Sequence, residues 1–230
     1  MPYTFEKSDG PYVSEDPNDT GLRFTDVLFG FALREIVTRL AKWTDLTAAA
    51  RVHLFLAAIT ILGSYIGFRN SQKRGRFRLR FFNIATLRFF VDQAMVFFYF
   101  SIAIYFSTDK TPGGVLSLPT SEAILRFDAR VVALIFGLYL VWDLLSHWMD
   151  HSGYYYLRKD NNPTEGPDEL LEAKTFRTVI TFGSLLATLA ILWVSECREP
   201  AGSAATWWLL PLIAIVIIYR VLKDGIVKEP

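Results

Sequence analysis

The sequence predicts an all-α integral membrane protein with six transmembrane helices and with both the N-terminus and the C-terminus in the cytoplasm. Of the 230 residues, 52% are hydrophobic and 15% are aromatic, and the mean hydropathy is +0.27, which is high for a soluble domain. The apolar residues are gathered into runs long enough to cross a bilayer. Lys and Arg residues are concentrated in alternate connections between these runs, as the positive-inside rule describes.

The first predicted span, residues 24–40, differs from the rest because it carries Asp26, Arg34, Glu35 and Arg39. The other five predicted spans are apolar runs with few charges. They are residues 52–68, 81–107, 131–149, 178–194 and 205–222.

Charge in the connections predicts the topology. With the N-terminus placed in the cytoplasm, fifteen Lys and Arg residues fall inside and six fall outside. This assigns 1–22 to a flexible cytoplasmic N-terminal tail, 23–222 to a six-helix transmembrane domain with a basic cytoplasmic loop at 69–80, and 223–230 to a cytoplasmic C-terminal tail. Residues 1–22 show no signal-peptide pattern, so an early span is expected to act as an uncleaved anchor. The lone Cys197 excludes an internal disulfide and a cysteine metal cluster.

The charges of the first span follow the helical period. At 3.6 residues per turn, Asp26 and Arg34 lie on one ridge, and Glu35 and Arg39 form an i,i+4 pair on another. Charged groups are costly in hydrocarbon, so this face is expected to meet protein or water instead of lipid. Two interpretations follow: the charges are paired and buried, or part of the face lines an aqueous path.

The entry to this span, Phe24-Thr25-Asp26, resembles the Phe-Ser-Asp signature of the lysosomal potassium channel family and its bacterial six-helix relatives. Asn83 also falls where the bacterial relatives often have asparagine. The resemblance implies small subunits that assemble as homo-tetramers, with the first helix lining a cation pore. It also implies that Phe24, Thr25 and Asp26 hold this helix against its neighbours and that bulky side chains close the pore near Phe31.

An arginine that faced such a pore would oppose cations, so Arg34 predicts a different selectivity. The third span supplies polar residues that are expected to serve helix packing, with Arg88 and Asp92 as an i,i+4 pair against the first helix. The candidate pore and gate residues are Phe24, Thr25, Asp26, Phe31, Arg34, Glu35 and Arg39. The candidate packing residues are Asn83, Arg88, Asp92 and Gln93.

The connection at 69–80 is dense in positive charge. A basic cytoplasmic loop fixes topology and touches anionic lipid headgroups. Arginine side chains also suit phosphates, and in a symmetric oligomer these loops would form a positive ring for a nucleotide, a phosphorylated headgroup or a single-stranded nucleic acid. Both interpretations stay open. The candidate anion-binding residues are Arg69, Lys73, Arg74, Arg76, Arg78 and Arg80.

A cluster of acidic residues and histidines ends the fourth span. Asp143, His147 and His151 share one ridge, with Asp150 beside it. Such a cluster can hold a metal, sense protons or serve polar packing, and all three interpretations stay open. Apart from this metal, no cofactor is expected. With three histidines in the chain, the sequence excludes a membrane di-iron oxidase.

We therefore expect a non-enzymatic subunit of an oligomeric ion channel in the bacterial inner membrane, in contact with membrane lipids and possessing a basic ring that binds an anionic ligand. A related hypothesis is a pore-forming effector of anti-phage defence, regulated by a nucleotide or oligonucleotide. A second is an integral membrane enzyme that acts on a lipid or isoprenoid through Asp143, His147, Asp150 and His151. A third is a non-catalytic membrane partner whose polar residues only fix helix packing.

Overall fold

The computed structural model describes residues 17–72, 84–105, 119–151 and 167–226. Within these ranges the chain is helical apart from short turns and contains no strand, so the all-α prediction is confirmed. The helices are α1 (Pro17–Leu40), α2 (Ala48–Gln72), α3 (Ile84–Ile104), α4 (Ser121–His151), α5 (Pro167–Cys197) and α6 (Ser203–Ile226).

Successive helices run in opposite directions. A single 3₁₀ turn, Trp43–Asp45, joins α1 to α2, and residues 198–202 join α5 to α6. We call the end of the bundle that holds these two connections the hairpin end. We call the other end, where α1 begins and α6 ends, the terminal end.

Polar contacts show that α2 to α5 follow the same alternation. Near the start of α2, His53 contacts Ile102 at the end of α3 and Asp128 near the start of α4. Arg130 of α4 pairs with Glu196 at the end of α5. All of these residues lie at the hairpin end, so each helix reverses the direction of the one before it.

The helices α2 and α4 form the centre of the bundle. α4 packs against α2, α3, α5 and α6, whereas α1 packs against α2 and α3, and α5 packs against α4 and α6. On α2 the buried side chains include Ala49, Ala50 and Ala57. Small residues let helix backbones approach closely, which strengthens van der Waals packing where hydrophobic driving force is weak.

Within the described ranges, four helices are long and apolar enough to cross a membrane, by length and composition. These segments are Ala48–Phe68, Leu87–Ile104, Thr175–Cys197 and Ser203–Lys223. They correspond to predicted spans two, three, five and six, and they are compatible with the predicted membrane protein.

Most of the helices extend beyond their predicted apolar runs, and α4 and α5 do so by the largest number of residues. α4 begins at Ser121, ten residues before the run at 131, and α5 begins at Pro167, eleven residues before the run at 178. Proline suits the first turn of a helix because the amide it lacks has no intrahelical partner there. At the start of α4, the Thr120 hydroxyl oxygen accepts a 3.3 Å hydrogen bond from the Ala123 amide. Hydropathy marks the apolar part of a helix, whereas these capping signals mark where it begins.

Candidate functional site

The first helix has one buried face and one outward face. Thr25, Phe29 and Ile36 are buried against α2 and α3, whereas Phe31 is 50% exposed and Arg34 is exposed. The exposed positions also include Val27, Gly30, Val37, Thr38 and Leu40. The ridge Gly30–Arg34–Thr38 therefore lies on the outer surface of the bundle and does not line the interior of one subunit.

Part of the charged face of α1 is paired within the helix. Arg39 Nη2 lies 3.7 Å from Glu35 Oε2, and the Arg39 side chain is buried while about a third of the Glu35 side chain is exposed. Asp26 is partly buried. Near the terminal end, the Gln93 side-chain amide donates a 3.4 Å hydrogen bond to the Thr25 hydroxyl oxygen. These contacts join α1 to itself and to α3, and Arg34 takes no part in them.

A second group of polar side chains is buried at the terminal end, around the indole of Trp142. The Arg88 guanidinium stacks on this ring at 4.2 Å from its centroid, and the Arg177 guanidinium lies at 5.0 Å. Asp92 interacts electrostatically with Arg88 and with Lys223. The helices α3, α4, α5 and α6 therefore all contribute to this cluster, and the predicted i,i+4 bridge of Arg88 with Asp92 stays a prediction.

Asp143 and His147 of α4 face α5. Asp143 is fully buried; its Oδ1 lies 2.6 Å from Arg177 Nε, and its Oδ2 accepts a 2.9 Å hydrogen bond from the Thr181 hydroxyl. His147 Nε2 lies 3.1 Å from Thr178 Oγ1. Both side chains therefore attach α5 to α4.

The metal and proton-sensing interpretations of this cluster stay predictions. Among the residues that the structure describes, no group of three His, Cys, Asp or Glu side chains is placed to hold a metal. Asp150 and His151 belong to the last turn of α4, but their side chains lie outside the description.

The third polar group surrounds Arg220 of α6. Its Nη2 donates hydrogen bonds to the Ser64 and Tyr139 hydroxyl oxygens. The Tyr139 hydroxyl is also 2.5 Å from the Tyr99 hydroxyl. Arg220 thereby connects α6 to α2, α4 and, through the tyrosine pair, α3.

The hairpin end holds a fully buried histidine–aspartate pair. His53 Nδ1 lies 2.6 Å from Asp128 Oδ1, and His53 Nε2 lies 3.0 Å from the Ile102 carbonyl oxygen. A carbonyl can only accept, so Nε2 carries a proton. The hydrogen bond to Asp128 then holds one further proton, on either the imidazole or the carboxyl group. This pair joins α2, α3 and α4 in one hydrogen-bonded unit.

Several predicted residues lie where the structure gives no side chain. Phe24 and Arg69 belong to α1 and α2, but their side chains lie outside the description. The remaining basic-loop candidates and Asn83 lie outside the described residues. They are Lys73, Arg74, Arg76, Arg78, Arg80 and Asn83.

The sequence predictions did not include the pairing of His53 with Asp128 or the contacts of Arg220. The available signal was the presence of an ionisable residue within or beside an apolar run. Such a residue is energetically costly in a membrane and therefore needs a partner, but its position in the sequence does not show which residue that partner is. His53 and Asp128 are 75 positions apart, and Arg220 and Ser64 are 156 apart. Only the packing of the helices brings these residues together.

The connection between α5 and α6 is tied to the start of α4, and this contact gives a pH prediction. Glu122 Oε1 accepts a 2.7 Å hydrogen bond from the Gly202 amide, and this bond is the main cause that lowers the pKa of Glu122 below its usual 4.5. A lowered pKa means that the contact stabilises the folded connection above the usual pKa and is lost as the pH falls through the lowered value. We expect protection of the Gly202 amide from hydrogen exchange to hold down to pH 4.5 and to fall below it.

The Glu122→Gln variant is the control, because its amide oxygen still accepts the bond but does not titrate in this range. Protection in this variant should be independent of pH after correction for intrinsic exchange. Loss of protection in the unsubstituted protein near neutral pH would contradict the assignment.

No family model, no curated protein and no solved structure matches this chain. The resemblance of Phe24-Thr25-Asp26 to a channel family therefore stays a prediction. A function for the chain is argued below from the geometry of its own residues.

Proposed function

We propose that the chain is the subunit of a homo-oligomeric ion-conducting assembly in the bacterial inner membrane, with copies of α1 surrounding the conduction path. In this proposal all six helices cross the membrane, and both termini lie in the cytoplasm. Two observations support this topology. The start of α1 and the end of α6 lie at the same end of the bundle, and the connections assigned to that side contain an excess of Lys and Arg.

The observation that carries the proposal is the outward ridge Gly30–Arg34–Thr38 of α1. Arg34 is exposed and makes no ion pair with any residue in the described part of the chain. It lies six residues before the end of α1, which is about 9 Å along the helix axis. An exposed arginine at this depth is costly against lipid, whereas a water-filled axis between copies solvates it.

The outward face of α5 provides the comparison within the same molecule. Over residues 175–194 of α5, the exposed large side chains are all apolar, as expected for a face against lipid tails. They are Phe176, Val179, Phe182, Leu186, Leu189 and Trp193. The contrast between these two peripheral helices supports α1, and not α5, as the helix that turns toward the axis.

The proposal assigns functions to two exposed residues of α1. Phe31 narrows the path as a bulky apolar side chain, and a ring of Arg34 side chains attracts anions and opposes cations. We take the assembly to be a tetramer, as the family resemblance implies. An anionic ligand at the basic segment 69–80 would gate it, and an anti-phage effector opened by a nucleotide is one form of this proposal.

Ion flux through the purified protein tests the proposal. The protein is reconstituted into liposomes, and chloride and potassium movements are followed separately under matched gradients, with empty liposomes as the control. Chloride flux well above the control, and above potassium flux, is the expected result. A preparation of stable oligomers that passes neither ion would contradict the proposal.

A further inference from the structure

Arg220 is buried in α6, yet it has no carboxylate partner in the described part of the chain. Its side chain donates hydrogen bonds only from Nη2, to the neutral hydroxyl groups of Ser64 and Tyr139. The Nε atom is buried and lacks a hydrogen-bond acceptor among the described residues. Arginine does not lose its proton in proteins, so this position holds a permanent positive charge.

The surroundings add positive charge to the same region. Arg88, Arg177 and Lys223 all lie close to the Trp142 ring, and Lys223 Nζ is also 3.0 Å from the Tyr219 hydroxyl oxygen. The carboxylates of this cluster within the described part of the chain are Asp92 and Asp143, and Asp143 is already paired with Arg177. Among the described side chains, and with Arg220 included, the cluster contains four cationic groups and two anionic groups.

The backbone of α2 is shaped to receive the guanidinium group. A Cβ atom at Gly63 would lie 3.0 Å from Arg220 Nε, and one at Gly67 would lie 3.1 Å from Arg220 Nη1. A side chain at either position would force the guanidinium group to shift by a few tenths of an ångström, so the two glycines let it pack closely against α2. Nε and Nη1 together retain three N–H groups that donate to no described residue.

A buried guanidinium group without an anionic partner is unfavourable even beside the rings of Tyr139 and Tyr219, and its planar donors match the oxygens of a phosphate group. We propose that Arg220 and Lys223 bind a phosphate-type anion at the terminal end of the bundle, between α2, α4 and α6. The phosphate group belongs either to an anionic lipid headgroup or to inorganic phosphate. The proposal does not depend on whether the assembly conducts ions.

Thermal unfolding of the purified full chain tests this proposal. The protein is stripped of lipid in a phosphate-free maltoside detergent, and its unfolding midpoint is followed against inorganic phosphate and, separately, against phosphatidylglycerol in mixed micelles. A rise in the unfolding midpoint with inorganic phosphate identifies the ligand as a free anion. A rise in the midpoint with phosphatidylglycerol alone identifies the ligand as a lipid headgroup.

The Arg220→Gln variant should bind the probe that raises the midpoint about tenfold more weakly, or weaker still, since a charge-assisted hydrogen bond is lost. The matched control is Arg126→Gln, which removes a partly exposed arginine paired with Glu199 at the hairpin end and should leave the response unchanged. If Arg220→Gln does not fold, Lys223→Gln takes its place and should also weaken binding.

The proposal is overturned by two results. One is an unsubstituted protein whose midpoint responds to neither probe. The other is a response that keeps its full strength in the folded variants at Arg220 and Lys223.

Discussion

The Arg34→Glu variant is expected to change an anion-preferring conductance into a cation-preferring one. Arg34 is exposed on the outward ridge of α1, so in the proposed assembly each copy contributes one positive charge to the path. Reversing this charge lowers the barrier for cations and raises it for anions, and about 1.4 kcal/mol in a barrier is a tenfold change in rate. We expect the chloride-to-potassium flux ratio in liposomes to fall by at least about tenfold.

The matched control for this variant is Arg198→Glu. Arg198 is an exposed arginine in the connection between α5 and α6, at the hairpin end and away from the α1 ridge. The Arg198→Glu variant makes the same change of charge but should alter the flux ratio little, because solution ions screen a distant surface charge. An unchanged ratio in Arg34→Glu would place Arg34 outside the conduction path.

The His53→Ala variant is expected to cause a large loss of stability. The substitution removes the hydrogen bonds to Asp128 and to the Ile102 carbonyl, and it leaves a buried carboxyl group without a partner. Breaking a buried charged pair in this way costs about 3–5 kcal/mol of the free energy of unfolding. Chemical unfolding of the purified protein in detergent measures the difference.

Two variants serve as controls for this prediction. His147→Ala removes a histidine whose one side-chain hydrogen bond to a described residue is to Thr178, and it should cost only about 1 kcal/mol. Asp128→Asn keeps a polar partner for His53 and should cost less than His53→Ala. If His53→Ala were no more damaging than His147→Ala, the buried pair would not be a principal contact among α2, α3 and α4.

The elements that the sequence predicts well are those governed by local periodicity. The predicted i,i+4 pair of Glu35 with Arg39 is found in α1, because i,i+4 neighbours lie on one side of a helix whatever surrounds it. Hydropathy locates the helices, but it places the start of α5 too late. The polar first turns of that helix carry no hydropathy signal.

The residues that the sequence does not predict depend on how the helices pack against one another. Asp143 and His147 share a ridge with the spacing of metal ligands, but the structure turns both toward α5, where Arg177 and Thr178 are available as partners. Nothing local to α4 determines which helix lies opposite this ridge. The hydrogen bonds of Arg220 likewise depend on contacts with α2 and α4 that no spacing within α6 reveals.

Water access to the outward face of α1 tests the proposed assembly most directly. Gly30 on α1 and Gly183 on α5 are both exposed, and both have open space where a Cβ would be placed. In a background with Cys197→Ser, which removes the one native thiol, Gly30→Cys and Gly183→Cys are each placed in liposomes and treated with a charged, membrane-impermeant thiol reagent. If α1 surrounds an aqueous path, the reagent modifies the Gly30→Cys protein rapidly and blocks its flux, while the Gly183→Cys protein stays unmodified. Equal protection of the two thiols would place α1 against lipid and contradict the proposed pore.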